Sequence, residues 1–247
     1  MGRWLQYASP QRFYPVAGYL VPWLLLAALL LTLAGLYVGF FIAPTDFQQG
    51  EAYRIIFVHV PAAWLSMFLY VVMAFWAVVG WVLNTRLSSM LARALAPTGT
   101  LFTFLALWTG ALWGKPTWGT WWVWDARLTS ELILLFLYIG FMALQASTED
   151  PRKGDRAGAV LALVGVLNVP VIYFSVQWWS TLHQGASISF RVAPTMATTM
   201  LIGMLLTALG FWAYAAGVAL MRLQTIVLQR EAQAAWVRQQ EIEEVPA

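Results

Sequence analysis

Residues 57–83 read FVHVPAAWLSMFLYVVMAFWAVVGWVL, and no Asp, Glu, Lys or Arg occurs among them. A run of that length is enough to cross about 30 Å of hydrocarbon as a helix, in which every backbone hydrogen bond closes within the segment. Five more apolar runs flank it, at Ala17–Ile42, Leu91–Trp113, Ala126–Ala146, Ala157–Trp178 and Ala193–Leu220. Strands of a membrane barrel would be about half as long and would alternate in polarity. The pattern therefore predicts an all-α integral membrane protein with six transmembrane helices. Composition agrees, because 61% of the 247 residues are hydrophobic and 10% are charged, whereas soluble domains carry about 25% charged residues.

The first run exceeds the h-region of a cleavable leader and has no clear small-x-small site behind it, so a retained span is expected. In a six-span arrangement Arg3, Arg12, Arg86, Arg93, Arg152, Lys153, Arg156, Arg222, Arg230 and Arg238 lie on one side, and Arg54, Lys115, Arg127 and Arg191 on the other. Cations concentrate on the cytoplasmic side of membrane proteins, which puts both termini in the cytoplasm. The net charge of +3 is thereby explained by loop cations and does not call for nucleic acid as a partner. Cysteine is absent, which excludes disulfides, thiolate metal sites, a cysteine nucleophile and thioether attachment of haem.

Short connections and the lack of a Ser/Pro/Gly linker indicate one bundle without internal repeats, residues 1–222, followed by a polar helical tail, residues 223–247. That tail is expected to continue the sixth helix. Gly158, Gly165, Gly203, Gly210, Ala213 and Gly217 are small residues of the kind that let membrane helices approach closely. Asn168 and Pro170 predict a kink in the fifth span, since proline removes a backbone donor and clashes with the preceding turn. The charged stretch Thr148–Arg156 reads as an anchoring turn.

The unusual residues gather at the side away from the termini. Both histidines, His59 and His183, fall at that boundary, as does Trp118-Gly-Thr-Trp-Trp-Val-Trp-Asp125, with four tryptophans in seven residues. Boundary tryptophans ordinarily form an anchoring belt, but a belt spreads over all helices. Here the rings are concentrated in one short amphipathic loop between helices 3 and 4, and Trp113, Trp178 and Trp179 lie at the same level. A helical loop would align Trp118, Trp121 and Trp122, and an extended one Trp118, Trp122 and Trp124. Either gives a platform suited to a large planar ligand. Asp125 is placed to cap the fourth helix, where an anion is also favoured by the helix dipole. Glu131 lies deeper, so it should face the bundle interior, with Arg127 one turn back as its expected partner.

Two histidines with no cysteine fall short of a zinc site. They can supply trans axial nitrogens to one haem iron if their helices face each other, and Arg54, Lys115, Arg127 and Arg191 are the cations available to propionates. These residues resemble a known family. Trp118–Thr129 is similar to the tryptophan-rich "WWD" signature of membrane haem-handling proteins of cytochrome c biogenesis. Ile56–Ser66 and Trp178–Gly185 resemble the two histidine segments of the haem exporter protein C (CcmC) family, with which the layout of spans also agrees.

The resemblance implies a multi-pass protein of the bacterial inner membrane whose functional face is periplasmic. It implies that haem b is held non-covalently by His59 and His183 as axial ligands, and that Trp118, Trp121, Trp122 and Trp124 bind its exposed face, with Asp125 shaping the loop. Arg127, two positions on, joins the cofactor-binding candidates as one of the cations available to propionates. The resemblance further implies delivery to a periplasmic haem chaperone of the CcmE type, together with ABC transporter subunits of the CcmA and CcmB type and a small membrane protein of the CcmD type. Such a role is one of binding and delivery rather than free-standing enzyme catalysis. The competing readings are a b-type electron-transfer subunit, in which histidines are usually buried within helices, and a permease with an aromatic belt.

Overall fold

The computed structural model describes residues 9–183, 188 and 194–244. Arg3, Gly185, Arg191 and Ala193, all named above, lie outside these residues. Helix α1 (Pro10–Tyr37) begins at Ser9, whose side chain accepts the Arg12 N–H, and ends in a wider π-helical turn at Val38–Ile42. A 3₁₀ turn, Glu51–Ile55, leads into α2 (Ile56–Val82), which is followed by α3 (Arg86–Trp118), α4 (Ala126–Ala146), α5 (Pro151–Gly165), α6 (Asn168–Trp178), α7 (Thr198–Arg230) and α8 (Ala235–Glu244). Among the described residues six segments are long and apolar enough to cross a membrane: Pro10–Ile42, Glu51–Val82, Arg86–Trp118, Ala126–Ala146, Pro151–Trp178 and Thr198–Arg230. The all-α integral membrane architecture expected from the apolar runs is therefore the one found.

Helices α1 and α7 pack along each other, as do α2 and α3, while α4 lies against α3, α5 and α6. Lipid removes the usual hydrophobic drive between helices, so close approach has to supply the attraction. At Gly203 of α7 an added Cβ would stand 3.1 Å from the backbone nitrogen of Gly39 and 3.2 Å from the carbonyl of Gly35. Both neighbours are main chain and cannot move aside, which fits the small-residue role expected for Gly203. The core beside this seam is built on α2, where Leu65, Tyr70 and Met73 meet Leu134, Tyr138 and Phe141 of α4. The Tyr138 hydroxyl donates to the Ser66 carbonyl at 2.8 Å and so satisfies its polar end within the core.

The fifth span is broken where proline and asparagine predict it. Helix α5 stops at Gly165 and α6 starts at Asn168, with a turn between them. Pro170 has no N–H to continue the ladder, and the Asn168 side chain donates to the Ser130 carbonyl at 2.8 Å, which holds the break against α4. The tail continues the sixth helix as expected only as far as Arg230. Helix α7 runs unbroken past residue 222 to Arg230 and is then interrupted by a turn before α8. Trp236 donates to the Glu231 carboxylate at 3.0 Å and its ring lies 5.9 Å from that of Tyr14. Side-chain bonding across the turn favours an interruption over a straight continuation.

Candidate functional site

Helices α2, α3 and α4 bring their chemistry together at the end of the bundle away from Pro10. Helix α3 ends there because Gly119 adopts φ 79°, the left-handed region, and its N–H caps the Lys115 carbonyl at 3.1 Å. Residues with a Cβ are disfavoured in that conformation, so glycine is what lets Trp118 finish the helix and the chain turn sharply behind it. From Gly119 to Asp125 the backbone is irregular, neither helical nor a regular strand. It stops at Asp125, whose Oδ1 accepts the Leu128 N–H at 2.8 Å and starts α4 as an N-cap, the role anticipated for it.

One cleft opens beside this turn. It is lined by His59, Ala63, Ala106, Gly110, Trp118, Thr120, Trp121, Trp122, Arg127, Glu131 and His183, among others, and it encloses about 530 Å³ of empty space including its open mouth. Both histidines, 124 positions apart in the chain, thus face the same space. Trp118, Trp121 and Trp122 are part of the lining, whereas Trp124 is 77% exposed and meets the site through Trp122, with ring centroids 5.4 Å apart. The three lining tryptophans are those that a helical loop would align, although the backbone carrying them turns irregularly after Trp118.

His59, in the first turns of α2, is half-buried. Its Nδ1 lies 3.0 Å from the hydroxyl oxygen of Thr109 on α3, and its ring meets Trp113 edge to face with centroids 5.7 Å apart. Trp113 is held in turn by donating its indole N–H to the Gln49 side chain at 2.7 Å. His183 follows the end of α6, where its ring packs edge to face on Trp118 with centroids 4.9 Å apart. Its Nδ1 lies 3.4 Å from Asp125 Oδ2, so Asp125 uses one oxygen to start α4 and the other to hold His183.

Burial, and then the nearby Arg127 charge, hold the His183 pKa down to about 4 against the opposing pull of Asp125. At neutral pH the pair is therefore a neutral imidazole donating to a carboxylate, not an ion pair. That arrangement fixes the proton on Nδ1 and leaves the Nε2 lone pair free, as a metal-ligating imidazole requires.

Glu131 corrects one expectation. It is buried and faces the bundle as predicted, but its Oε1 accepts from the Ser66 hydroxyl of α2 at 2.8 Å, and no ion pair joins it to Arg127 among the described residues. The i, i+4 spacing permits the pair, yet Ser66 lies directly across the helix interface and satisfies the carboxylate within the core. No described side chain bonds the Arg127 guanidinium, which lines the cleft. The buried indole N–H of Trp122 also has no hydrogen-bond partner among the described residues. Buried polar groups are nearly always bonded, so a buried donor and a cation with no side-chain partner among the described residues, in one aromatic cleft, suit a planar ligand that carries carboxylates.

Sequence reasoning passed over Thr109, Gly110, Thr120 and Ser66, none of which has a signal visible in the chain alone. Of the outer cations, Arg54 is engaged elsewhere. Its guanidinium bonds Glu51 and the carbonyls of Gly39 and Ala43, which ties the 3₁₀ turn to the end of α1. Lys115 donates to the Gly119 carbonyl at 3.1 Å and sits 5.9 Å from the centre of the Trp121 ring.

A family model described as "CcmC: Heme exporter protein C" matches residues 3–238. The chain is 46% identical over 232 residues to Heme exporter protein C of Escherichia coli (strain K12), covering 94% of each chain. It is 45% identical over 239 residues to the protein of the same name from Haemophilus influenzae, covering 96% of this chain and 97% of the relative. A putative cytochrome c biosynthesis ccmC-like mitochondrial protein of Marchantia polymorpha is 44% identical over 182 residues, covering 74% and 77% respectively.

Proposed function

The chain belongs to the Heme exporter protein C family, and from that membership we propose that this multi-pass inner-membrane protein handles haem for cytochrome c maturation at the cleft between His59 and His183. In this reading the imidazoles of His59 and His183 would both ligate the iron of haem b. Trp118, Trp121 and Trp122 cover the porphyrin face, excluding water from one side while the mouth of the cleft leaves an edge accessible. Arg127 and the Trp122 indole N–H are the donors for carboxylates. Trp124 acts at one remove, by supporting Trp122, and Asp125 holds both the loop and His183.

The observation that carries the proposal is the convergence of the only two histidines of the chain on one tryptophan-lined cleft. Two neutral imidazoles meet the axial requirement of haem without any further protein donor. Following the positive-inside orientation, the cleft faces the periplasm, where the protein presents haem to a chaperone of the CcmE type. ABC transporter subunits of the CcmA and CcmB type and a small CcmD-type membrane protein complete the assembly.

The test is spectroscopic. Membranes containing the protein should show a bis-histidine haem spectrum, and His59→Ala and His183→Ala should each diminish or abolish it. Wild-type haem content in the double variant would remove the ligand assignment. Unimpaired loading of the chaperone by a protein lacking all of Trp118, Trp121, Trp122 and Trp124 would remove the aromatic platform.

A further inference from the structure

We infer that Thr109 is the positioning residue for His59, fixing its tautomer and ring orientation so that the Nε2 lone pair is the one offered to the cleft. The inference rests on the haem-handling reading above, but it concerns a contact present in the protein without ligand. Thr109 is buried on α3, and its hydroxyl oxygen has three neighbours: the Leu105 carbonyl at 2.6 Å, the Ala106 carbonyl at 3.3 Å and His59 Nδ1 at 3.0 Å. A hydroxyl has one proton to give and two lone pairs with which to accept.

The shortest contact is with the Leu105 carbonyl, which can only accept, so the hydroxyl proton is directed there. Toward His59 the oxygen then acts as an acceptor, and Nδ1 must carry the imidazole proton. In a neutral ring that leaves the lone pair on Nε2. The next residue reinforces the placement. An added Cβ at Gly110 would stand 3.1 Å from His59 Cε1 and 3.6 Å from Nδ1, so the ring rests directly on the glycine. Trp113 closes the outer side edge to face. Thr109, Gly110 and Trp113 thus form a seat along one face of α3 for an imidazole carried by α2. The two histidines are consequently held by unlike partners, His59 by a neutral hydroxyl with the Ala106 carbonyl beside it and His183 by a carboxylate.

Groups that orient a ligating histidine through its second nitrogen typically change metal affinity by about 10- to 100-fold when removed. The experiment uses full-length protein without haem, labelled with ¹⁵N-histidine, in a His183→Gln background so that His59 alone reports. Nitrogen chemical shifts should place the proton on Nδ1 of His59. Thr109→Val, which keeps the shape and removes the hydroxyl, should release this preference. In the protein with both histidines it should weaken haem binding by about 10- to 100-fold, and Thr109→Ser should restore both properties.

A proton found on Nε2 in the otherwise wild-type protein overturns the inference without reference to any Thr109 variant. So does a Thr109→Val protein whose tautomer or haem affinity is unchanged. Wild-type protein that binds no haem would instead refute the function proposed for the cleft, while the apo tautomer measurement would still decide the role of Thr109.

Discussion

Replacing Asp125 by asparagine separates two roles that one carboxylate performs. Oδ1 caps α4 at the Leu128 N–H, 2.8 Å away, and Oδ2 receives His183 Nδ1 at 3.4 Å. Asparagine is about as good an N-cap as aspartate, so its carbonyl can keep the first contact. The only structural loss is then the charge–dipole term, about 0.3–1 kcal/mol. The amide nitrogen, however, takes the place of Oδ2 and presents N–H groups to an imidazole N–H. Relief requires His183 either to abandon the contact or to move its proton to Nε2, the nitrogen needed by the iron.

The expected cost to haem affinity is about 10- to 100-fold, equivalent to about 1.4–2.8 kcal/mol. Asp125→Ala should pay the same binding cost and lose the cap as well, a further loss of about 1 kcal/mol in stability. Haem titration of apo protein in detergent or nanodiscs, followed by absorbance, gives the affinities. Unfolding followed by the fluorescence of the 15 tryptophans gives the stabilities. If Asp125→Asn binds haem as the wild type does, and Asp125→Ala weakens binding only in step with its stability, then Asp125 is a cap and nothing more.

Other outcomes follow from the same geometry. The His183 pKa near 4 lies below the usual value of 6.5, so between those values the unfolded chain takes up a proton that the folded apo protein refuses. This contribution to stability is fully present above about pH 6.5 and lost as the pH falls toward 4, by no more than about 3.4 kcal/mol. Apo His183→Gln should therefore show a flatter stability profile across that window, and an identical profile would refute the burial argument. Trp118→Ala and Trp122→Ala should each weaken haem binding by more than Trp124→Ala, with a single aromatic contact contributing about 0.5–1.5 kcal/mol beyond its buried area. An equal or larger loss at Trp124 would contradict the placement of the cleft. Because the chain has no cysteine, single cysteines report topology cleanly. Phe47→Cys, at a position 92% exposed, should react with a membrane-impermeant maleimide in spheroplasts, and Arg152→Cys only after the membrane is permeabilised. The reverse result would invert the orientation.

Much of this architecture is legible in the chain because lipid imposes length and polarity on every span. The start of α4 is read directly from Asp125, whose side chain caps locally, and the break before α6 from Pro170, which lacks a donor wherever it stands. Features that depend on contacts between helices are not legible in this way. Nothing in the sequence pairs Ser66 with Glu131, 65 positions away, or Thr109 with His59, 50 positions away. The local spacing instead suggests an Arg127–Glu131 bond that the helix interface outcompetes. The turn after Arg230 is hidden for the same reason. No glycine or proline marks Glu231–Ala234, and the bond between Trp236 and Glu231 appears only once the turn has formed. The two histidines stand out by their rarity, but their shared cleft arises from packing.

The central claim is that two imidazoles remote in the chain share one iron, and counting histidine nitrogens on that iron tests it most directly. Haem-loaded protein prepared with ¹⁵N-histidine, oxidised and examined by electron–nuclear double resonance, should show two coupled histidine nitrogens. Only one should remain in His59→Gly and one in His183→Gly. A wild-type spectrum without two coupled histidine nitrogens, or two that persist in either variant, would contradict it.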